Sequence, residues 1–362
     1  MQIFQPNNHS KWKIEYRPVA PEVFTLIHDV FMKYYAKPRA RVISIEQVNE
    51  VEINSNNFRV NYEHGGIKKT LLVRRYANNR DRAMLEDISL VLSDVLREGV
   101  KDPEIISSNE GKIIEIEGEY SYTAYQFIEG DHYRGTLAEI ADIAGELGKL
   151  DALFAVLPSA HALKEKVVFP QKVLALREYN FDIWEDLFQR AEAGMAESSD
   201  REFDQRFLVM KDLILGAVED TPFLHAENFE KQLVHVDLHP HNLLTDGEKL
   251  LAIIDFDSLR VFERMRAVSF ALHRLVRQHI VHTQPEDTEA AVKAATQVFL
   301  GAYRTNMPLS DEDVRAVPYF IRTEALARLS YAMKDNYLNN NPLWKGDLDK
   351  QTASILEAKY FE

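Results

Sequence analysis

The chain contains no cysteine. That removes disulfides, iron–sulfur clusters, thiolate zinc sites and cysteine nucleophiles together. Long apolar runs are missing too. The densest, Leu250 to Phe256, has the length of a strand, well short of the ~20 residues that cross a bilayer. The opening MQIFQPNNHSKWKIEYRP has no apolar stretch of the kind a secretory signal needs. The expectation is a soluble cytoplasmic protein with no membrane partner. Basic residues are also short: 43 Lys and Arg against 57 Asp and Glu leave a net charge of −14. Nucleic-acid backbones are bound mainly through Lys and Arg, so no nucleic-acid partner is expected. What is present is ordinary for a globular chain. Of 362 residues, 46% are hydrophobic, enough to bury a core and to exclude disorder as the main state. The length suits two domains or one two-lobed unit.

The pattern changes along the chain. Pro21 to Tyr35 carries Val23, Leu26, Ile27, Val30, Phe31 and Tyr34 at helical spacing, with a proline in the first turn. Val42–Ile45, Phe58–Tyr62 and Lys69–Tyr76 are short, β-branched and aromatic, and the turn-forming sequences NSNN and EHGG lie between them. This reads as an antiparallel meander. Arg80 to Gly99 reads as a helix. Ile105–Ile106, Lys112–Ile116 and Tyr120–Ile128 read as strands. After Gly135 the helical period dominates, over Leu137–Leu157, Pro170–Ala193, Asp200–Val218, Asp287–Asn306, Asp311–Asn339 and Asp347–Phe361. Leu233 to Leu259 is the exception, reading as two short strands around the turn TDGEK. The fold class expected is α+β. A sheet-bearing unit spans 1–130 and a larger, mainly helical unit 131–362.

The chemistry-bearing residues sit in that exceptional stretch. His235-Val-Asp237-Leu-His-Pro-His-Asn242 is H-x-D-x-x-x-x-N, and Asp255-Phe-Asp257 follows on the next strand. Phosphoryl transfer asks for positioning more than covalent chemistry. A carboxylate orients the attacking hydroxyl, and a divalent cation bridges the nucleotide phosphates. Mg²⁺ takes oxygen ligands, which an Asn amide and an Asp carboxylate supply. Asp237 is therefore the candidate base, with Asn242 and Asp255 as metal ligands. A rival reading takes the alternating His235, Asp237, His239 and His241 as ligands of a metallo-hydrolase. Pro240 interrupts that strand face, and no second compact cluster follows.

HVDLHPHNLL followed by LLAIIDFDS resembles the aminoglycoside phosphotransferase and choline kinase superfamily, which includes homoserine, methylthioribose and N-acetylhexosamine kinases. The resemblance covers about residues 20–345 and implies a protein-kinase-like fold with ATP between two lobes, GTP being the alternative. In TLLVRRY, it places Arg74 where the family usually carries a phosphate-contacting lysine. Glu86, or Asp87 beside it, would pair with Arg74. Ser55, Asn56 and Asn57 would cover the phosphates, and Gln126, Phe127 and Ile128 would form the hinge contacts to the base. Asp257 or His239 would touch substrate or a second metal. The chain departs from the family pattern at Val236, usually Gly, at Asp257, and in lacking an Asp after the metal loop that braces the catalytic segment. The function implied is transfer of the γ-phosphate to a hydroxyl of a sugar, amino sugar, aminoglycoside or amino alcohol such as homoserine or choline. A protein Ser/Thr kinase and a non-catalytic nucleotide binder are the alternatives within that fold. Trp344 in NNNPLW reads as a substrate wall or a structural anchor. Neither the acceptor nor the oligomeric state can be read from these residues.

Overall fold

The computed structural model describes residues 4, 13–48, 55–77, 82–166, 181–197, 200–220 and 229–362. Its N-terminal part is built on one antiparallel sheet. The strands are β1 (Tyr16–Pro18), β2 (Arg41–Val48), β3 (Ser55–His64), β4 (Ile67–Tyr76), β5 (Ile105–Ile106), β6 (Glu115–Glu117) and β7 (Tyr120–Gln126). Their order is β1-β2-β3-β4-β7-β5, and β6 also pairs with β7. Gly65 and Gly66, both at positive φ, make the tight β3–β4 turn where a Cβ would be strained. The strand expected over Lys112–Ile116 forms only at Glu115–Glu117. NSNN is not a free turn either: Ser55, Asn56 and Asn57 pair with Tyr76, Arg75 and Arg74, because β3 begins earlier than its apolar residues suggest.

Helix α1 (Pro21–Val30) widens into a π turn over Phe31–Tyr35. Ile27, Val30 and Phe31 are buried against Phe58, Val60, Val73, Tyr122 and Ala124 of the sheet. Helix α2 (Arg82–Arg97) ends before Gly99, whose φ of 78° suits the chain reversal there. Leu85 packs with Tyr76 and Ile114. Ile88, Val91, Leu92 and Val95 belong to the large helical core instead. One helix therefore seats the sheet on the rest of the molecule.

After β8 (Asp131–His132), Thr136 and Glu139 form a reciprocal cap that starts α3 (Leu137–Val156). Then come α4 (Pro158–Lys166), α5 (Phe181–Glu197), α6 (Arg201–Val209) and α7 (Lys211–Asp220). The expected helix over Asp200–Val218 is two helices broken at Met210. Of the one expected over Pro170–Ala193, residues 170–180 lie outside the described ones. Leu233–Leu259 also differs from expectation. It holds β9 (Lys231–His235), β10 (Leu243–Thr245) and β11 (Leu250–Ile253), and leads into β12 (Leu259–Glu263). β10 pairs with β11 and with β8, whereas β9 pairs with β12. The apolar pattern marks strand character but not partner choice, and residues 236–242 leave the ladder to form a loop. Helices α8 (Arg264–Thr283), α9 (Thr288–Arg304), α10 (Asp311–Arg315), α11 (Val317–Asn339) and α12 (Asp347–Glu357) complete the chain. The expected helix over Asp311–Asn339 is interrupted at Ala316, where Pro318 suits the first turn of α11. No helix among the described residues is long and apolar enough to cross a membrane.

Candidate active site

His235 ends β9 almost wholly buried and ties the two functional loops together. Its ring contacts the Ile254 carbonyl at 3.1 Å and the Ser258 hydroxyl at 3.1 Å, and meets Phe256 edge-on at 5.2 Å. The chain then turns through Asp237 into the 3₁₀ turn Pro240–Asn242, capped by His239. Asn242 Nδ2 donates to the Asp237 carbonyl at 2.9 Å, while the Asn242 carbonyl accepts from Ile254 N at 3.0 Å. The Asn242 amide oxygen is thus the atom left to meet a cation. Asp255 is a non-glycine residue at φ 66°, ψ 48°. Such a conformation costs roughly 1–2 kcal/mol and is found where function over-determines the backbone. It turns the chain sharply between β11 and β12, next to Asn242.

Arg74 reaches across from β4. Its Nη2 donates to Asp255 Oδ1 at 2.7 Å and lies 3.2 Å from Asp257 Oδ2. Burial works against the guanidinium charge, but Tyr76, Asp257 and Asp255 outweigh it and hold the pKa above its ordinary value. Asp255 is likewise opposed by burial, yet its carboxyl is held below the usual range chiefly by the Arg74 charge and hydrogen bond. Asp257 Oδ2 is buried and accepts no hydrogen bond, so the Arg74 contact is an ion pair without hydrogen-bond alignment. The expected carboxylate on α2 is not the partner. Glu86 is half exposed and pairs with Arg82 at 3.2 Å, one turn away, and Asp87 pairs with Lys166. Asp255 and Asp257 supply the counter-charges that the described residues give Arg74.

Asp237 is braced from an element that the sequence reading did not connect to it. Arg328 of α11 donates through Nη1 to Asp237 Oδ1 at 3.1 Å and through Nη2 to the Val236 carbonyl at 3.1 Å. Its Nε binds Glu324 at 2.7 Å, and Glu324 is also held by Arg266 at 2.7 Å. On the other oxygen, His239 Nε2 lies 3.4 Å from Asp237 Oδ2. Burial alone would raise the Asp237 pKa. The His239 hydrogen bond and the Arg328 charge more than offset it and hold the carboxyl far below its usual range. The family's Asp after this loop has no counterpart here, and an Arg from a distant helix contacts the Asp237 segment. Glu324 and Arg328, four residues apart in a long apolar helix, were the available signal.

These groups line one cleft of about 600 Å³, a size suited to a nucleotide. Asn57, Gln126, Phe127 and Ile128 line it, as do Arg74, Asp237, His239, Asn242, Asp255 and Asp257. The Asn57 side-chain oxygen is buried without a partner. Asn56 does not line the cleft, the Ser55 side chain lies outside the described ones, and Trp344 lies outside the cleft, 6.5 Å from the Tyr331 ring. His235 is engaged with Ile254 and Ser258 rather than turned towards His239 and His241. No group of three His, Asp or Glu side chains among the described residues could hold a metal alone. The metallo-hydrolase reading therefore finds no ligand set. A cation shared between one or two protein oxygens and substrate phosphates is a different case. An Asn amide, the Asp255 carboxylate and the unsatisfied Asp257 oxygen are hard donors suited to that mode.

The model of the phosphotransferase enzyme family matches residues 44–291. No curated protein matches the sequence. Among solved structures, a spectinomycin phosphotransferase in complex with ADP and spectinomycin is 14% identical. The match covers 94% of this chain and 95% of that one, with a TM-score of 0.60. An aminoglycoside phosphotransferase from Alicyclobacillus acidocaldarius is 16% identical over 96% and 95% of the two chains, with a TM-score of 0.59. A microcompartment-associated aminopropanol kinase is 14% identical over 92% and 96%, with a TM-score of 0.53. At these identities the likeness establishes a shared fold.

Proposed function

The chain belongs to the phosphotransferase enzyme family, and from that premise we propose that it moves the γ-phosphate of ATP to a hydroxyl group of a small molecule. The observation that carries this reading is the meeting in one cleft of Arg74, from β4, with Asp237, Asn242 and Asp255, from the loops around β10 and β11 far along the sequence. The nucleotide lies between the units 1–130 and 131–362, its base against the backbone of Gln126–Ile128 and its phosphates towards Arg74 and Asn57.

Asn242, Asp255 and Asp257 would hold Mg²⁺. When bound, the ion neutralises charge on the phosphate oxygens. Arg74 moves from Asp255 and Asp257 towards the phosphates as they enter. This exchanges one ion pair for another, so the cation is never left buried and unpaired. Asp237 accepts a hydrogen bond from the acceptor hydroxyl and aims its oxygen at the γ-phosphorus. The new O–P bond forms as the bond to the β-phosphate oxygen breaks, ADP leaves, and the hydroxyl proton passes to Asp237 and on to solvent. A carboxylate with so low a pKa is a weak base, so its contribution is orientation, with the proton moving late, as a loose transition state allows.

The test is ADP release from Mg·ATP with a library of hydroxyl compounds, with GTP run in parallel. Asp237→Asn should lower turnover by about 10²-fold or more and leave the nucleotide affinity within a factor of two or three. Equal turnover in the variant would remove Asp237 from the reaction. Autophosphorylation or transfer to protein, with none to small molecules, would reassign the acceptor.

A further inference from the structure

One wall of the cleft is left unused by the phosphate and acceptor chemistry. Residues 101–104 run between the metal loop and the hinge, and both ends are fixed. The Lys101 carbonyl accepts from Ile253 N at 2.8 Å, two residues before Asp255, and the Glu104 carbonyl accepts from Gln126 N at 2.7 Å. Asp102 and Pro103 lie between these anchors. Both line the cleft, beside Leu92 of α2 and Tyr125 and Gln126 of β7.

The other carboxylates of the cleft each face a cation: Glu15 faces Arg17, Asp237 faces Arg328, and Asp255 and Asp257 face Arg74. Asp102 makes no hydrogen bond or ion pair among the described residues, and the adjacent Lys101 is spent on Asp142 at 2.8 Å. Asp102 is 7% exposed. Its Oδ2 is fully buried without a partner, which leaves Oδ1 as the oxygen open to the cleft. Burial pushes the carboxyl well above its usual range. A buried carboxyl with unmet hydrogen-bonding capacity costs stability, and a ligand that meets it removes that cost.

We propose that Asp102 reads the purine of the nucleotide, accepting an N–H of the adenine 6-amino group and so selecting ATP over GTP. The inference rests on the phosphotransferase reading, with the base at Gln126–Ile128, and adds what sets the choice of base. Gln126 N is already taken by Glu104, so the hinge meets the base through Phe127 and Ile128. An exocyclic amine has two N–H bonds. One meets a hinge carbonyl, and the other turns inward to the wall beyond Gln126. Adenine shows a donor at its 6-position and an acceptor at N7, whereas guanine shows two acceptors there. A carboxylate accepts from the amine and repels the guanine oxygen. A neutral carboxyl accepts from the amine while donating to N7, and guanine can use only the donor. Adenine is favoured in either form, and a buried group built for one partner rejects the base that leaves it unmet.

The experiment is calorimetric titration of the full chain, in Mg²⁺, with ADP, GDP and purine riboside diphosphate, which lacks the 6-amino group. Wild type should bind ADP about tenfold or more tighter than GDP, the worth of one buried hydrogen bond. Asp102→Ala should lower that ratio by about tenfold. Removing the amine should cost about tenfold more in wild type than in Asp102→Ala, a comparison in which the amine's contact with the hinge cancels. Asp102→Asn keeps the size of the side chain and should bind GDP more tightly than wild type does, because its amide can turn an N–H towards the guanine oxygen. A structural role for Asp102 would weaken all three nucleotides alike and leave their ratios unchanged. That result, or GDP bound as tightly as ADP by wild type, overturns Asp102 as the reader of the base and leaves the phosphotransferase reading standing. Binding of none of the three by wild type would overturn the phosphotransferase reading together with this inference.

Discussion

Replacing Arg328 with methionine keeps an unbranched apolar stem and removes the donors. Three hydrogen bonds are lost, to Asp237 at 3.1 Å, to the Val236 carbonyl at 3.1 Å and to Glu324 at 2.7 Å, with the guanidinium that stands over the Phe270 ring. Glu324 retains Arg266 and Asp237 retains His239, so neither carboxylate is stranded. A hydrogen bond to a charged group contributes about 1.5–3 kcal/mol when protected. The Arg328 and Asp237 side chains are 27% and 31% exposed, and solvent screening reduces that figure. A total loss of about 2–4 kcal/mol follows, with about 1–2 kcal/mol assigned to the Asp237 contact. A double-mutant cycle isolates that contact. Urea unfolding of wild type, Arg328→Met, Asp237→Asn and the double variant should give a coupling of about 1–2 kcal/mol, whereas independent sites add to within about 0.5 kcal/mol. Arg328→Lys should recover only part of it, because an ammonium cannot make the two-point contact to Asp237 and Val236. Additivity of the two substitutions, or turnover unchanged in Arg328→Met, would refute the brace.

Other substitutions probe the frame and the reassigned pairings. A Cβ on Gly148 would lie 2.5 Å from the Tyr303 carbonyl oxygen of α9, so Gly148→Ala should lower the unfolding free energy by about 1–3 kcal/mol; an unshifted urea midpoint would contradict that close approach. Asp151 is buried, accepts a hydrogen bond from Tyr303 at 2.7 Å, and is pushed up by burial to about 7. The folded chain therefore binds a proton that the unfolded chain gives up near pH 4, so stability falls as pH rises from about 4 to 7. Asp151→Asn should flatten that slope in unfolding measured across the window, and an unchanged slope would mean the group is ionised throughout. Glu86→Gln should change stability by less than about 1 kcal/mol and leave nucleotide affinity as it was; loss of affinity would return Glu86 to Arg74.

The residues of the site that could be read from sequence are those whose chemistry dictates both type and spacing. Asp237, Asn242 and Asp255 lie within one short stretch because a loop and a hairpin bring them to one edge, and H-x-D-x-x-x-x-N with a following Asp records it. Gly65 and Gly99 marked a turn and a helix end for the same local reason. Side-chain partners across the fold leave no such trace. Arg74 and Asp255 are 181 positions apart, and Arg328 and Asp237 are 91 apart. The family resemblance puts the partner of Arg74 on the next helix, at Glu86 or Asp87, and the rotation of α2 that turns Glu86 to solvent depends on where Ile88, Leu92 and Val95 find their core. Strand pairing was hidden for a similar reason. The alternation in Leu233–Leu259 is the same whether β9 joins its sequence neighbour or β12.

The central claim is that Asp255 and Asn242 hold a nucleotide through a divalent cation while Asp237 serves the acceptor. Calorimetric titration of a non-hydrolysable ATP analogue, with and without Mg²⁺, tests it in wild type, Asp255→Ala and Asp237→Asn. The account predicts Mg²⁺-dependent binding in wild type, loss of that dependence in Asp255→Ala and near-normal binding in Asp237→Asn. Binding indifferent to Mg²⁺, or a Mg²⁺ dependence that survives in Asp255→Ala, would contradict it.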